Sequence, residues 1–193
     1  ELDGSVVFSA LGLVAGKSSF SLTMGQFSGA SNGVTLVDAE AMVFNLTGVQ
    51  VFVGPGTSVT AGADYATSSV NDGSLGFSGS VASLDLVTLS TGTDTPADTT
   101  DDYNYLVVEL SGLDASLVGL EDILEFHAYA VNLKLNQVST GNTADTNPNK
   151  LDWSSFTGAS GVSLPSLSTT AAIDLELDGS VVFSALGLVA GKS

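Results

Sequence analysis

Four aspartates, Asp94, Asp98, Asp101 and Asp102, fall within nine positions of the stretch TGTDTPADTTDDYN (Thr91–Asn104), and Asn104 stands next to them. Calcium binds about six to eight hard oxygens drawn from carboxylates, Asn side chains and backbone carbonyls. A Gly- and Thr-rich loop that gathers these carboxylates is therefore a candidate calcium site, and Ca2+ is the one cofactor the residues suggest. Asp145, Asn147 and Asn149 form a second alternating set of oxygen donors. Neither stretch has the EF-hand spacing, and the GGxGxD calcium nonapeptide is missing. A plain, solvated acidic loop is the competing reading of both.

Enzyme chemistry finds less support. The only histidine, His127, lies inside the alternating run ILEFHAYAVNLKLNQV (Ile123–Val138), where a packed or rim residue is expected rather than a general base. Glu121, Asp122 and Glu125 are the closest clustered carboxylates. A glycosidase needs such a pair, but these read as a solvated turn. No Gly-rich phosphate loop, GxSxG elbow or HExxH is present. The chain is expected not to be an enzyme. Asn45-Leu46-Thr47 is a formal glycosylation sequon beside a strand, and the single tryptophan, Trp153, reads as a core or lobe-closing residue, with a sugar-stacking platform as the alternative.

The elements that would position these residues are strands. SFSLTM (Ser19–Met24) places Phe20, Leu22 and Met24 on one face, and LTGVQVFV (Leu46–Val53) groups Val49, Val51 and Val53. Gly73–Leu89 alternates through Leu75, Phe77, Gly79 and Val81, then through Leu84 and Leu86. In Tyr103–Leu110, Leu106, Val108 and Leu110 share a face. The run from Ile123 splits into Ile123, Tyr129, Val131, Leu133 and Leu135 on one side, against Leu124, Phe126, Ala128 and Ala130 on the other. SNG (31–33), GPG (54–56), NDG (71–73) and TGN (140–142) punctuate these runs with residues that tolerate positive φ. Only LVDAEAMVF (Leu36–Phe44) and LVGLEDILE (Leu117–Glu125) have room for a short helical turn. The expected fold is all-β, with mostly antiparallel strands in an elongated sandwich- or solenoid-like unit that stacks end to end. Thr91–Asn104 and Thr140–Lys150 are expected to be surface loops. Thr157–Thr170 resembles a linker held down by Val162, Leu164 and Leu167.

Composition narrows the partners. The 193 residues carry 21 acidic groups against 4 Lys and no Arg, a formal charge of −17. Phosphate backbones need the basic residues this chain lacks, so no nucleic acid is expected. Hydrophobic residues make up 44%, too many for a disordered chain. No apolar run approaches the roughly 18 residues of a spanning helix, so no membrane insertion is expected. With no Cys there are neither disulfides nor thiolate metal sites, a usage that suits exported bacterial surface proteins.

The dominant organisational feature is a duplication. ELDGSVVFSALGLVAGKS occupies Glu1–Ser18 and recurs, letter for letter, at Glu176–Ser193. The offset, Glu1 to Glu176, is 175 positions, which predicts a tandem array: residues 1–175 form one repeat unit and residues 176–193 begin the next. Stacking would cover open β ends and apolar surface, with Leu2, Val6, Phe8, Leu177, Val181 and Phe183 as the expected repeat interface. A fainter echo lies within the unit, where Glu109-Leu110-Ser111-Gly112 and Gly119-Leu120 match Glu1-Leu2-Asp3-Gly4 and Gly12-Leu13 across one gap.

The succession VQVFVGPG (Val49–Gly56), DGSLGFSGSVASLDLVTL (Asp72–Leu89), YNYLVVELSGLDASLVGLEDILEF (Tyr103–Phe126), AVNLKLNQ (Ala130–Gln137) and LDWSSF (Leu151–Phe156) resembles the long repeats of giant bacterial surface or extracellular proteins of adhesin- or haemagglutinin-like type. The likeness covers most of the unit. It implies a β-rich, exported, multi-repeat polypeptide, located outside the cell or at its surface and used for attachment or as a fibre. No functional residues carry over from it. The expected function is a structural repeat of an extracellular filament or adhesin stalk, whose partners are neighbouring copies of itself. The alternative is a discrete carbohydrate- or calcium-binding β module of a secreted protein.

Overall fold

A computed structural model describes residues 1–92, 100–185 and 189–192. Its strands in chain order are β1 (Leu2–Ala10), β2 (Val14–Ser31), β3 (Val34–Val53), β4 (Ser58–Thr60), β5 (Ser69–Asn71), β6 (Gly76–Ser90), β7 (Tyr103–Val118), β8 (Leu124–Thr140), β9 (Thr157–Gly161), β10 (Leu175–Ala185) and β11 (Val189–Lys192). The main sheet runs β1-β2-β3-β6-β7-β8-β10-β11, with β9 added against β2, while β4 and β5 form a separate two-stranded sheet. Every pairing is antiparallel, and the described residues contain no helix. The expected all-β class is therefore what the chain adopts.

Turn chemistry sets this meander. Ser31 pairs with Val34 across a two-residue loop, Asn32 (φ 48°) and Gly33 (φ 78°), which matches the twist of the flanking strands. β1 and β2 are joined at Leu11 and Gly12, both also left-handed. The two predicted helical turns resolve differently. Leu36–Phe44 lies wholly within β3, because its alternate residues Ala39, Ala41 and Val43 are needed on the buried side of the sheet. Leu117 belongs to β7, and only one tight turn forms beyond it, where the Ile123 and Leu124 amides donate to the Leu120 carbonyl at 2.8 and 2.7 Å.

The register gives the sheet two chemically distinct faces. The front buries Phe27, Leu36, Ala39, Ala41, Val43, Val87, Leu89, Tyr105 and Val107 beneath Leu151, Trp153 and Leu167. The covering segment is tied down by polar groups. The Glu109 carboxylate accepts from the Ser168 and Thr169 amides at 2.7 and 2.6 Å. Asn136, 1% exposed, accepts from the Trp153 indole N–H at 3.0 Å and donates to the carbonyls of Leu151 (2.9 Å) and Thr170 (3.1 Å). At the other end of the long strands, Phe52 and Ala15 are fully buried. There Lys17 Nζ donates to the Ser68 carbonyl at 2.8 Å and sits over the Tyr65 ring, beside the β4–β5 hairpin.

Between these two cores the front is polar. A single register row crosses seven strands as Asp3, Ser21, Asn45, Asp85, Glu109, Lys134 and Glu176. The back is apolar along the same strands. Leu2, Leu22, Phe44, Leu86, Val108, Leu135 and Leu175 form one row, and Phe20, Leu46, Leu84, Leu110, Leu133 and Leu177 form the next.

Bulges keep this division intact. Left-handed Gly48, Gly112 and Ala130 interrupt β3, β7 and β8. The alternation shifts by one residue there, returning Val49, Leu113 and Ala128 to the back face. The expected split of the Ile123–Val138 run is thus corrected: Ala128 and Phe126 lie on the same face as Val131, Leu133 and Leu135.

Candidate assembly interface

Two of the four aspartates proposed for calcium, Asp94 and Asp98, lie outside the described residues. Asp101 and Asp102 sit just before β7, where their backbone carbonyls serve the loop. Thr91 Oγ1 donates to the Asp101 carbonyl, and Thr140 Oγ1 and the Gly141 amide donate to that of Asp102. Among the described residues no three His, Cys, Asp or Glu side chains come close enough to hold a metal ion. Asp145 instead accepts from the Tyr103 hydroxyl at 3.0 Å, and this hydrogen bond holds the phenol above its ordinary pKa. Glu121 accepts from the Gly119 amide at 2.9 Å, which lowers its pKa, and so caps a turn. His127 stacks on Tyr129 and lies 3.4 Å from Glu125, on the rim of a front-face hollow of about 480 Å3 that also carries Asp72 and Asp114. Trp153 is buried, in the core.

The duplicated segment supplies the most developed geometry. Residues 175–185 form β10, which pairs with the outer edge of β8 on one side and with β11 on the other. The hairpin reproduces the opening one position for position. Val7–Lys17, Phe8–Gly16, Ser9–Ala15 and Ala10–Val14 in β1–β2 become Val182–Lys192, Phe183–Gly191, Ser184–Ala190 and Ala185–Val189 in β10–β11. β1, by contrast, pairs in the main sheet only with β2, so its other edge keeps its backbone donors and acceptors unpaired in the sheet.

Specific contacts fix β10 on β8. Lys134 Nζ lies 3.2 Å from the Glu176 carboxylate, and Asn132 Nδ2 donates to Asp178 Oδ1 at 2.9 Å. Just beyond Asp178 the register shifts at Gly179, whose φ is +153° and whose missing Cβ would sit 2.7 Å from Val131 Cγ2. A side chain at that position meets both a disfavoured backbone and a neighbouring residue. Lys150 and Asp174 form a further ion pair just before the strand.

The six residues expected to form the repeat interface do occupy β1 and β10, and all are exposed, from Val181 at 36% to Leu177 at 66%. Their side chains point to the back face, whereas the pairing between β8 and β10 is made by backbone. Sequence reasoning missed Asn132, Lys134 and Gly179. The available signal was that Glu176, Asp178 and Gly179 repeat Glu1, Asp3 and Gly4, so their partners elsewhere in the chain had to be interface residues. No protein-family model matches the chain, and neither a curated protein nor a solved structure is similar to it.

Proposed function

We propose that this chain is a structural repeat of an extracellular filament or surface adhesin stalk, built by joining identical β units end to end. The observation that carries the reading is the seat of the closing hairpin. Residues 176–185, which repeat the first ten, lie on β8, and residues 189–192 pair with them in the register of the opening hairpin, as the first strands of a following copy would. Each copy then contributes six long strands, β1, β2, β3, β6, β7 and β8, to one uninterrupted sheet. Strands about 4.8 Å apart give a rise of about 29 Å per copy, which makes the assembly elongated. Each junction repeats the Lys134–Glu176 and Asn132–Asp178 contacts. Sheet pairing between β8 and the incoming strand is the source of cohesion in this reading. A surface location agrees with the lack of Cys, and with an acidic exterior that keeps a long polymer in solution.

The test is the mass of the intact, denatured polypeptide from its native source, together with electron micrographs of undenatured material. A mass many times 19.4 kDa, with an axial period near the rise above, is expected. Dispersed monomers near 19.4 kDa overturn the reading.

A further inference from the structure

We propose that the apolar back face of the sheet docks on the same face of a second copy of this chain, giving two layers of sheet with the charged surfaces outward. The face is large. Besides the two rows already described, a third runs Phe8, Gly16, Val51, Gly79, Ala115, Ala128 and Val181, and Val14, Val53 and Phe77 begin a fourth. At about 4.8 Å between strands and 3.4 Å per residue, the face covers about 1,000 Å2. The largest apolar patch on an ordinary monomer is about 300–600 Å2. Two such faces together would bury about 2,000 Å2, enough for a stable interface. The chain also exposes 10478 Å2 in all, against about 8,500 Å2 for a compact folded protein of its mass.

Charge identifies the occupant. None of these rows contains Asp, Glu or Lys, although the chain carries a net −17. At one end they stop at a polar row, Gln26, Glu40, Ser90 and Asn104. An apolar centre bounded by a polar rim is the anatomy of a protein–protein interface. Face-to-face packing of two copies keeps the carboxylates of the Asp85–Glu109 row on opposite outer surfaces. Sheets that pack this way lie about 10 Å apart. An anionic membrane would repel so acidic a chain, and four lysines provide no basic rim to hold one. The rows also continue onto β10 through Leu175, Leu177 and Val181, so every added copy extends the face by the same pattern.

The inference concerns a single unit and stands apart from the tandem reading. The native polypeptide mass tests that reading, and the mass of the isolated 193-residue chain tests this one. Sedimentation equilibrium of the intact chain is expected to give twice 19.4 kDa, with the dimer strengthened by salt as mutual repulsion is screened. Leu84→Glu with Leu110→Glu, at the middle of the face, should restore the monomer mass while the β circular dichroism persists, whereas Ser83→Glu on the front leaves the dimer intact. Should the double variant fail to fold, a nitroxide on Leu84→Cys decides the matter. The chain has no other thiol, and dipolar broadening from the partner's label is expected there but not at Ser83→Cys. A mass of 19.4 kDa at every concentration overturns the proposal, and flotation on phosphatidylcholine vesicles would then assign the face to lipid. Persistence of the dimer in a folded double variant, or absence of broadening at Leu84→Cys, overturns it equally.

Discussion

Deleting residues 176–193 should turn this chain from a closed species into a polymerising one. The deletion removes β11 and nearly all of β10, leaving the outer edge of β8 bare while the outer edge of β1 is already bare. The lost strand carries letter for letter the sequence that β1 still displays, so the two open edges are complementary and lie at opposite ends of the same molecule. A head-to-tail contact of this kind grows a filament unless its rotation closes a ring.

Its strength follows from the nine register pairs that residues 176–185 make with β8. At about one backbone hydrogen bond per pair and about 0.5–1.5 kcal/mol net for each, the junction is worth about 5–14 kcal/mol. Bringing two free molecules together costs about 4–15 kcal/mol. These nearly balance, so growth should depend steeply on concentration. In the intact chain the hairpin closes within one molecule without that cost, and the edge stays covered. Sedimentation velocity across a concentration series should show the truncated chain growing far beyond any species of the intact chain. A synthetic Glu176–Ser193 peptide should cap the filaments and shorten them. A folded truncated chain that grows no larger than the intact one, or filaments indifferent to the peptide, would refute the edge-pairing argument.

Asn136→Ala strands the Trp153 indole N–H and the Leu151 carbonyl without their partner, while the Thr170 carbonyl keeps the Ile173 amide. It is expected to cost about 2–6 kcal/mol, at about 1–3 kcal/mol for each of the two orphaned buried groups, measured by urea unfolding followed through the single tryptophan. Burial pushes the Tyr105 phenol up to about 12 from an ordinary value near 10. The folded state therefore keeps this proton while the unfolded chain loses it. The corresponding stability is complete below pH 10 and is lost as the pH rises through 12. Tyr105→Phe should flatten that alkaline decline in a series of thermal melts. Gly179→Ala forces a Cβ against Val131 at a φ of +153° and should loosen β10 by about 1–3 kcal/mol. Hydrogen exchange would reveal it as faster exchange of β10 amides, with those of β3 and β6 unchanged.

Much of this architecture could be read directly from residue order. Alternation in Phe20, Leu22 and Met24, and in Leu106, Val108 and Leu110, placed strands correctly because a half-buried pleated surface demands that period. Asn32-Gly33 announced a tight hairpin because both residues tolerate positive φ. What alternation cannot reveal is where its phase slips. Ala130 at φ 48° is no typical bulge residue, yet the slip there decides whether Phe126 and Ala128 join Leu133 or oppose it. Leu36–Phe44 offered a helical spacing of apolar residues, and the tertiary requirement to bury Ala39, Ala41 and Val43 against Trp153 and Leu167 overrode it. For the candidate site, the duplication pointed to Leu2, Val6 and Phe8. Which surface joins two copies depended on strand order, because an edge is defined by what lies beside a strand and not by what the strand contains.

That distinction divides the work of assembly between two kinds of surface. Backbone pairing at an edge is strong in sum but indifferent to sequence, so any exposed strand invites wrong partners. Register must come from side chains, and a one-residue slip would turn the apolar row of Leu177 and Val181 to the polar front. At the β8 edge, three devices oppose that slip. Lys134 meets Glu176 across the front, Asn132 meets Asp178 one row along, and the bulge at Gly179 fits only where Val131 leaves room for a missing Cβ. All three partners on the incoming strand, Glu176, Asp178 and Gly179, recur as Glu1, Asp3 and Gly4 in the opening segment. In the tandem assembly proposed above, the front face would thus fix how one copy follows another along the sheet. In the proposed two-layer arrangement the apolar rows of the back face, with no charge and no such pairs, would be left free to slide until they interdigitate. In the proposed polymer, order along the sheet would be specified by a few polar contacts at each junction, and thickness by apolar area alone.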